Sequence, residues 1–140
     1  MDAYADFIEE AATGRFRAPV AGGWTAEQIV AHVALHQEEL IEVTQSVLYD
    51  DEVTYDNHEP SSRELDRYLA GYGGLAGLAD RVAQTVTVLR DLGTRLDERG
   101  TVLVPTSTGD PPMPWAKVLE LDETVTVPRR LGQLRGLRAP

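Results

Sequence analysis

The feature that most limits how this chain can fold is the stretch from Trp24 to Leu48. Its opening, Trp24-Thr25-Ala26-Glu27-Gln28-Ile29, has the pattern of a capping box. The Thr25 side chain can accept from the Gln28 backbone N–H while the Gln28 side chain reaches back, and Trp24 and Ile29 are placed for the flanking hydrophobic staple. A helix advancing about 100° per residue then lines up Ile29, Val33, His36, Leu40, Val43 and Val47 on one stripe. The spacing predicts a helix from Ala26 to about Leu48, with His32 and Glu39 at one border of its apolar face. An amphipathic helix of this length needs partners of the same kind to cover its stripe.

The rest of the chain supplies them. Ala3, Phe7, Ile8 and Ala11 recur at helical spacing between Asp2 and Thr13, and Gly14 is a natural stop. Arg15 to Gly23, with a Pro and a Gly pair, reads as loop. The connector Tyr49 to Glu59 is acidic and lacks the glycine of a calcium loop, so it reads as a solvated loop with His58 on its surface. Ser61 to Glu64 is a second capping box. After it Leu65, Tyr68, Tyr72, Leu75, Ala79, Val82, Val86, Leu89 and Leu96 keep a three-and-four register as far as Arg99. Gly71, Gly73, Gly74 and Gly77 fall inside that register and each costs up to about 1 kcal/mol relative to Ala. The unbroken register predicts one long helix bent at the glycines.

Thr101 to Val104 is a short β-prone run, and Pro105 to Pro112 cannot be helical. A last helix is expected from Pro114, a residue tolerated in a first turn. It carries Trp115, Val118, Leu119, Val125, Leu131 and Leu134, with a kink near Pro128 and a polar tail that frays from Arg135. These elements predict an all-α fold, a four-helix bundle with an irregular crossing segment before the last helix, forming a single domain over residues 1–140.

Composition narrows the function. The 140 residues contain no cysteine, which removes disulfides, thiolate nucleophiles and cysteine metal sites, and 42% are hydrophobic, enough for a real core. A net charge of −10 argues against nucleic acid and anionic membranes as partners. No apolar run approaches the roughly 20 residues of a membrane span, and the acidic N-terminus is unlike a signal peptide, so a cytoplasmic protein is expected. Twelve arginines against one lysine suggest a GC-rich bacterial source. Ser46, Ser61, Ser62 and Ser107 lack a nucleophile elbow, and Gly71-Tyr72-Gly73-Gly74 lacks the strand and lysine of a phosphate loop. Tyr68, Tyr72 and Trp115 read as core aromatics.

Two segments resemble a known family. Trp24-Thr25-Ala26-Glu27-Gln28-Ile29-Val30-Ala31-His32-Val33 is similar to the opening of the second helix in DinB-like proteins, a superfamily that includes mycothiol-dependent maleylpyruvate isomerase N-terminal domains and bacillithiol transferases. Arg130-Leu131-Gly132-Gln133-Leu134 resembles the family's closing motif. The resemblance implies a DinB-like four-helix bundle, with homodimers common among its members. Members with an intact site use one histidine from helix two and a pair from the last helix to hold a divalent metal that activates a thiol or water. His32 matches the first of these ligands. Thr126 and Arg130 stand where the pair is expected, and an arginine has no lone pair to offer.

Two readings of the site follow. In the first the family metal is lost and the chain is a non-catalytic module for a small ligand or a protein. Its pocket would gather His32, His36, Glu39, Asp122, Thr126 and Arg130, with Arg130 either paired to a carboxylate in the metal's place or receiving a small anionic ligand. Asp122, Thr126 and Arg130 share a helix face at four-residue steps. In the second, His32 and His36, one turn apart, bind Zn or Ni with Glu39 or Asp122 as third ligand, serving a thiol transferase or isomerase.

Overall fold

The computed structural model describes residues 2–140. Six α-helices follow in order: α1 (Ala3–Thr13), α2 (Ala26–Leu48), α3 (Ser62–Leu69), α4 (Gly74–Thr94), α5 (Trp115–Leu121) and α6 (Val127–Gly136). A 3₁₀ turn covers Asp97–Thr101 and a π turn covers Asp122–Thr126. No strand occurs among the described residues, only three isolated bridges. The all-α expectation is met.

Local chemistry sets the helix ends. Asp2 caps α1 by accepting from the Tyr4 and Ala5 N–H groups. Both capping boxes form, at Thr25–Gln28 and at Ser61–Glu64. Gly14 stops α1 where a Cβ would lie 2.6 Å from the Glu10 carbonyl oxygen and 2.5 Å from the Phe16 ring. The Gln28 side chain also donates to Asp66, tying α2 to α3 at 2.9 Å.

The expected long bent third helix is two helices. The helix ends at Leu69, and Gly74 takes φ +80° at the start of α4. This left-handed geometry is nearly free for glycine and strained for other residues, so the chain reverses helical sense locally rather than bending. The apolar register survives because both helices pack on the same core. Leu65 of α3 and Leu78, Ala79 and Val82 of α4 join one cluster with Phe7, Val30 and Leu134.

The last helix starts at Trp115, as expected, and runs to Gly136 without stopping. It absorbs Pro128 through the π turn: the Val127 N–H bonds to the Asp122 carbonyl, five residues back. Pro128 has no N–H to give and its ring crowds the preceding turn, so one extra residue in the turn before it relieves both faults. The tail does not fray. Ala139 donates to the Arg15 carbonyl at 2.7 Å, Arg17 donates to that of Leu137 at 2.8 Å, and Arg135 and Arg138 both reach the buried Glu10 carboxylate. Polarity in the tail is therefore pairing, not solvation.

Helix α2 is central, packing on α4, α3 and α6. One core cluster fills the α1, α2, α4 and α6 end. A second, with Leu40, Val43, Leu89, Leu96, Val104 and Trp115, lies under the crossing segment. The connector is pinned to that segment by Tyr55 N–H to Pro105 O (2.8 Å) and Ser107 N–H to Tyr55 O (2.9 Å). The connector is a largely exposed loop, as expected, held in place at Tyr55.

Candidate functional site

The capping box fixes where α2 begins, and so fixes His32 and His36 on its inner border. The result is a row of rings through the molecule. Trp24 lies 5.2 Å from His32, His32 stacks on His36 at 6.2 Å and 14°, and His36 lies 6.1 Å from Tyr55. Tyr55 in turn meets Trp115 edge-on at 5.3 Å. At the outer end the Arg130 guanidinium lies over Trp24, 5.1 Å from the ring centre.

Asp122 is the hub of the inner half. It is 1% exposed, and the π turn presents it to the core. One carboxylate oxygen accepts from the Tyr4 hydroxyl (2.6 Å) and the Gln37 amide (3.1 Å); the other faces His36 Nδ1 at 3.2 Å. Gln37 in turn accepts from the Thr85 hydroxyl at 2.6 Å. A carboxylate only accepts, so His36 Nδ1 carries the proton, and its Nε2 shares a hydrogen bond with the Tyr55 hydroxyl at 2.6 Å. Burial, reinforced by the Asp122 charge, pushes the Tyr4 and Tyr55 hydroxyls well above their ordinary range, so both stay protonated donors. Every ring nitrogen and carboxylate oxygen in this network is committed.

His32 is the opposite case. It is 8% exposed and its Nδ1 is buried without a hydrogen-bond partner. Burial pulls its pKa down to about 3, helped by the Arg130 charge and by His36. It is therefore neutral at neutral pH. Arg130 itself is half-buried; it donates to Gln133 at 3.0 Å while its Nε has no partner. No carboxylate among the described residues pairs with it. The expected Arg130–carboxylate contact is not made, because Asp122 is already saturated by Tyr4, Gln37 and His36.

The six expected site residues do not share one pocket. His32, His36 and Glu39 line a cleft of about 450 Å³ with Glu38, Asp56, Glu64 and Arg81. Asp122 and Thr126 border a smaller hollow of about 220 Å³ beyond His36. Arg130 opens onto a third pocket of about 740 Å³. His36 borders the first cleft and the hollow alike, whereas the pocket at Arg130 shares no lining residue with either.

The first cleft also contains His58, so the chain's three histidines all line it. Its ring lies between Asp56 (2.8 Å) and Glu64 (2.9 Å), and those hydrogen bonds raise its pKa to about 9. His58 lies on the surface as expected, its side chain 50% exposed; the connector, clamped to Glu39 through the Asp56 N–H at 3.0 Å, places it along the cleft. Gln37, Tyr4 and Thr85 were missed. A polar residue inside a buried helix face was the available signal for Gln37.

Could these residues hold the metal that the family resemblance implies? Among the described residues no group of three or more His, Asp or Glu is arranged as a metal centre. Both His36 nitrogens are engaged, and a cation stands near His32. The donor set does not fit a three-ligand site.

Comparison with known proteins gives one line of relationship. No protein-family model matches the chain, and no curated protein does. The crystal structure of the mycothiol-dependent maleylpyruvate isomerase superposes with a TM-score of 0.70 at 15% identity, over 96% of this chain and 56% of that one. The fold is DinB-like. This chain spans little more than half the length of that isomerase, and the likeness is one of fold. Among the described residues, no helix is long and apolar enough to cross a membrane.

Proposed function

We propose that this DinB-like chain is a binding module for a small ligand or a partner protein, without the three-histidine metal chemistry that the family resemblance implies. One observation carries the reading: His36 spends both nitrogens on Asp122 and Tyr55, while the Arg130 cation occupies the side of His32 toward the last helix. A tight transition-metal site wants three unprotonated donors converging at about 2.1 Å, and this arrangement leaves one free imidazole beside a permanent positive charge. The test is a thermal melt of the purified protein with added Ni²⁺ or Zn²⁺. Binding to the folded state must raise the midpoint, so an unchanged melt supports the proposal. A stoichiometric ion that stabilises the fold and is lost on His32→Ala would defeat it.

A second reading has its own support. The unpartnered His32 Nδ1 and the company of His36, His58 and Glu39 in one cleft favour a Zn- or Ni-dependent transferase or isomerase using a thiol of the mycothiol type. It requires His36 to turn away from Asp122, at the cost of leaving a buried carboxylate oxygen bare. The bacterial source and a cytoplasmic location belong to this proposal too, since mycothiol chemistry presupposes both.

A further inference from the structure

The third pocket lies between the loop over residues 15–24 and helix α6. Its volume of about 740 Å³ falls in the range of small-molecule sites. Two arginines, Arg17 and Arg130, line it against one acid, Glu59, and its walls include Trp24, Val20 and Leu137. Val20 is 84% exposed, an apolar side chain with nothing packed on it.

Arg130 distinguishes this pocket. Six other arginines find carboxylates: Arg81 meets Glu38, Arg90 meets Asp2 and Glu123, Arg95 meets Asp91, Arg99 meets Asp50, and Arg135 and Arg138 meet Glu10; the remaining five without such a partner, Arg15, Arg17, Arg63, Arg67 and Arg129, are exposed to water. The chain carries 23 acidic residues, yet the half-buried Arg130 has only a neutral amide and a ring. Taking a cation partly out of water without a counter-charge is costly. Here burial opposes its charged state, and Glu59 attracts it from beyond ion-pair distance. The ring of Trp24 and the Gln133 bond hold the guanidinium in place, so its remaining donors are pre-oriented.

We propose that this pocket binds a small organic carboxylate with a flat apolar body, the carboxylate pairing with the Arg130 guanidinium and the body lying against Trp24, Val20 and Leu137. A guanidinium presents paired N–H donors that match a carboxylate, which is why arginine is used for such recognition. The histidine cleft is a poorer host for the same ligand, because five acids, Glu38, Glu39, Glu42, Asp56 and Glu64, line it against the cations Arg81 and His58, which they already pair. This inference rests on the binding-module reading, and it names the pocket and the ligand class.

The experiment is calorimetric titration at pH 7 with benzoate, phenylacetate and 2-naphthoate, and with uncharged 2-naphthamide as control. At least one carboxylate binds with one-to-one stoichiometry, and the amide binds more weakly than its acid by about tenfold or more, the worth of a charged hydrogen bond. Arg130→Gln weakens the carboxylate by a similar factor and leaves the amide unaffected; Arg130→Lys, which keeps a charge, retains part of the binding. Arg129→Gln, an exposed neighbour, changes nothing. Circular dichroism melts show that the variants are folded. The inference is overturned if no carboxylate binds the wild-type protein, if acid and amide bind equally, or if Arg130→Gln binds as the wild type does. A Ni²⁺ titration on the same sample separates the two levels. Failure of carboxylates and metal alike removes the pocket assignment alone, whereas tight metal binding removes the module reading with it.

Discussion

Asp122 and Arg130 lie on the same terminal helical run, two turns apart, and they have met opposite fates. Asp122 is a fully buried anion with three protein donors around it. Arg130 is a half-buried cation with one neutral partner and an orphaned Nε. A buried charge whose hydrogen-bonding capacity is filled from within the protein is part of the framework. One that is held in place but not neutralised is available to something from outside. The row of rings from Trp24 to Trp115 therefore has a structural end and an open end, joined by His32 and His36.

The sharpest way to break this contrast is to remove Asp122. Asp122→Ala strands the Tyr4 hydroxyl, the Gln37 amide and His36 in the core, and should cost about 3–5 kcal/mol in a urea or thermal unfolding curve. A loss below about 1 kcal/mol would show that Asp122 is no hub. Next in size, Thr126→His with Arg130→His puts imidazoles at the end of the π turn and on α6, the two positions that the family resemblance matches to its ligand pair. Ni²⁺ at a hundredfold excess over its dissociation constant should then stabilise the fold by about 2.7 kcal/mol; a melt indifferent to metal would refute the correspondence of this helix with the family's ligand pair.

Acid probes the middle of the row. The His32 pKa is lowered to about 3 from an ordinary 6.5. The unfolded chain therefore binds the proton first, and stability from this group, fully present above pH 6.5, is lost as pH falls toward 3, by up to about 1.4 kcal/mol per pH unit. A pH series of unfolding curves in wild type and His32→Gln reads this directly; identical slopes would contradict it. Smaller still is Arg130→Gln. Deleting an unneutralised cation should change stability by less than about 0.5 kcal/mol while raising the His32 pKa, followed by its NMR ring resonances. The smallest effect is at the exposed clamp of His58. With its pKa raised to about 9, any stabilisation is full below pH 6.5 and fades as pH climbs through 9, so His58→Gln should flatten a slight alkaline decline in melting temperature.

Much of this was legible in the chain. The Thr25 and Ser61 boxes, the stripe of α2 and the start at Trp115 all depend on residues within one or two turns of each other, and they form as expected. The nearness of His36 and Asp122 was anticipated as a metal pairing and is realised as a hydrogen bond. The break at Gly74 was misread because apolar periodicity reports which side faces the core and is silent on whether the backbone stays helical between two packed segments. His58 stands on the surface as expected, but nothing near it in sequence indicates that Tyr55 would anchor its connector to the crossing segment fifty residues later and so set its ring between Asp56 and Glu64.

Sequence alone determined where helices start, their N-terminal caps, their buried faces and the absence of thiol side chains, since each follows from spacing and residue type over a few ångströms of chain; the break ahead of Gly74 was not among these. Which polar groups neutralise one another was decided only in three dimensions. Asp122 could have served Arg130 or His36, and the π turn ahead of Pro128 turned it into a core where Tyr4 and Gln37 also waited. Charge pairing depends on distance and burial between segments remote in sequence, and that information exists only once the helices have packed.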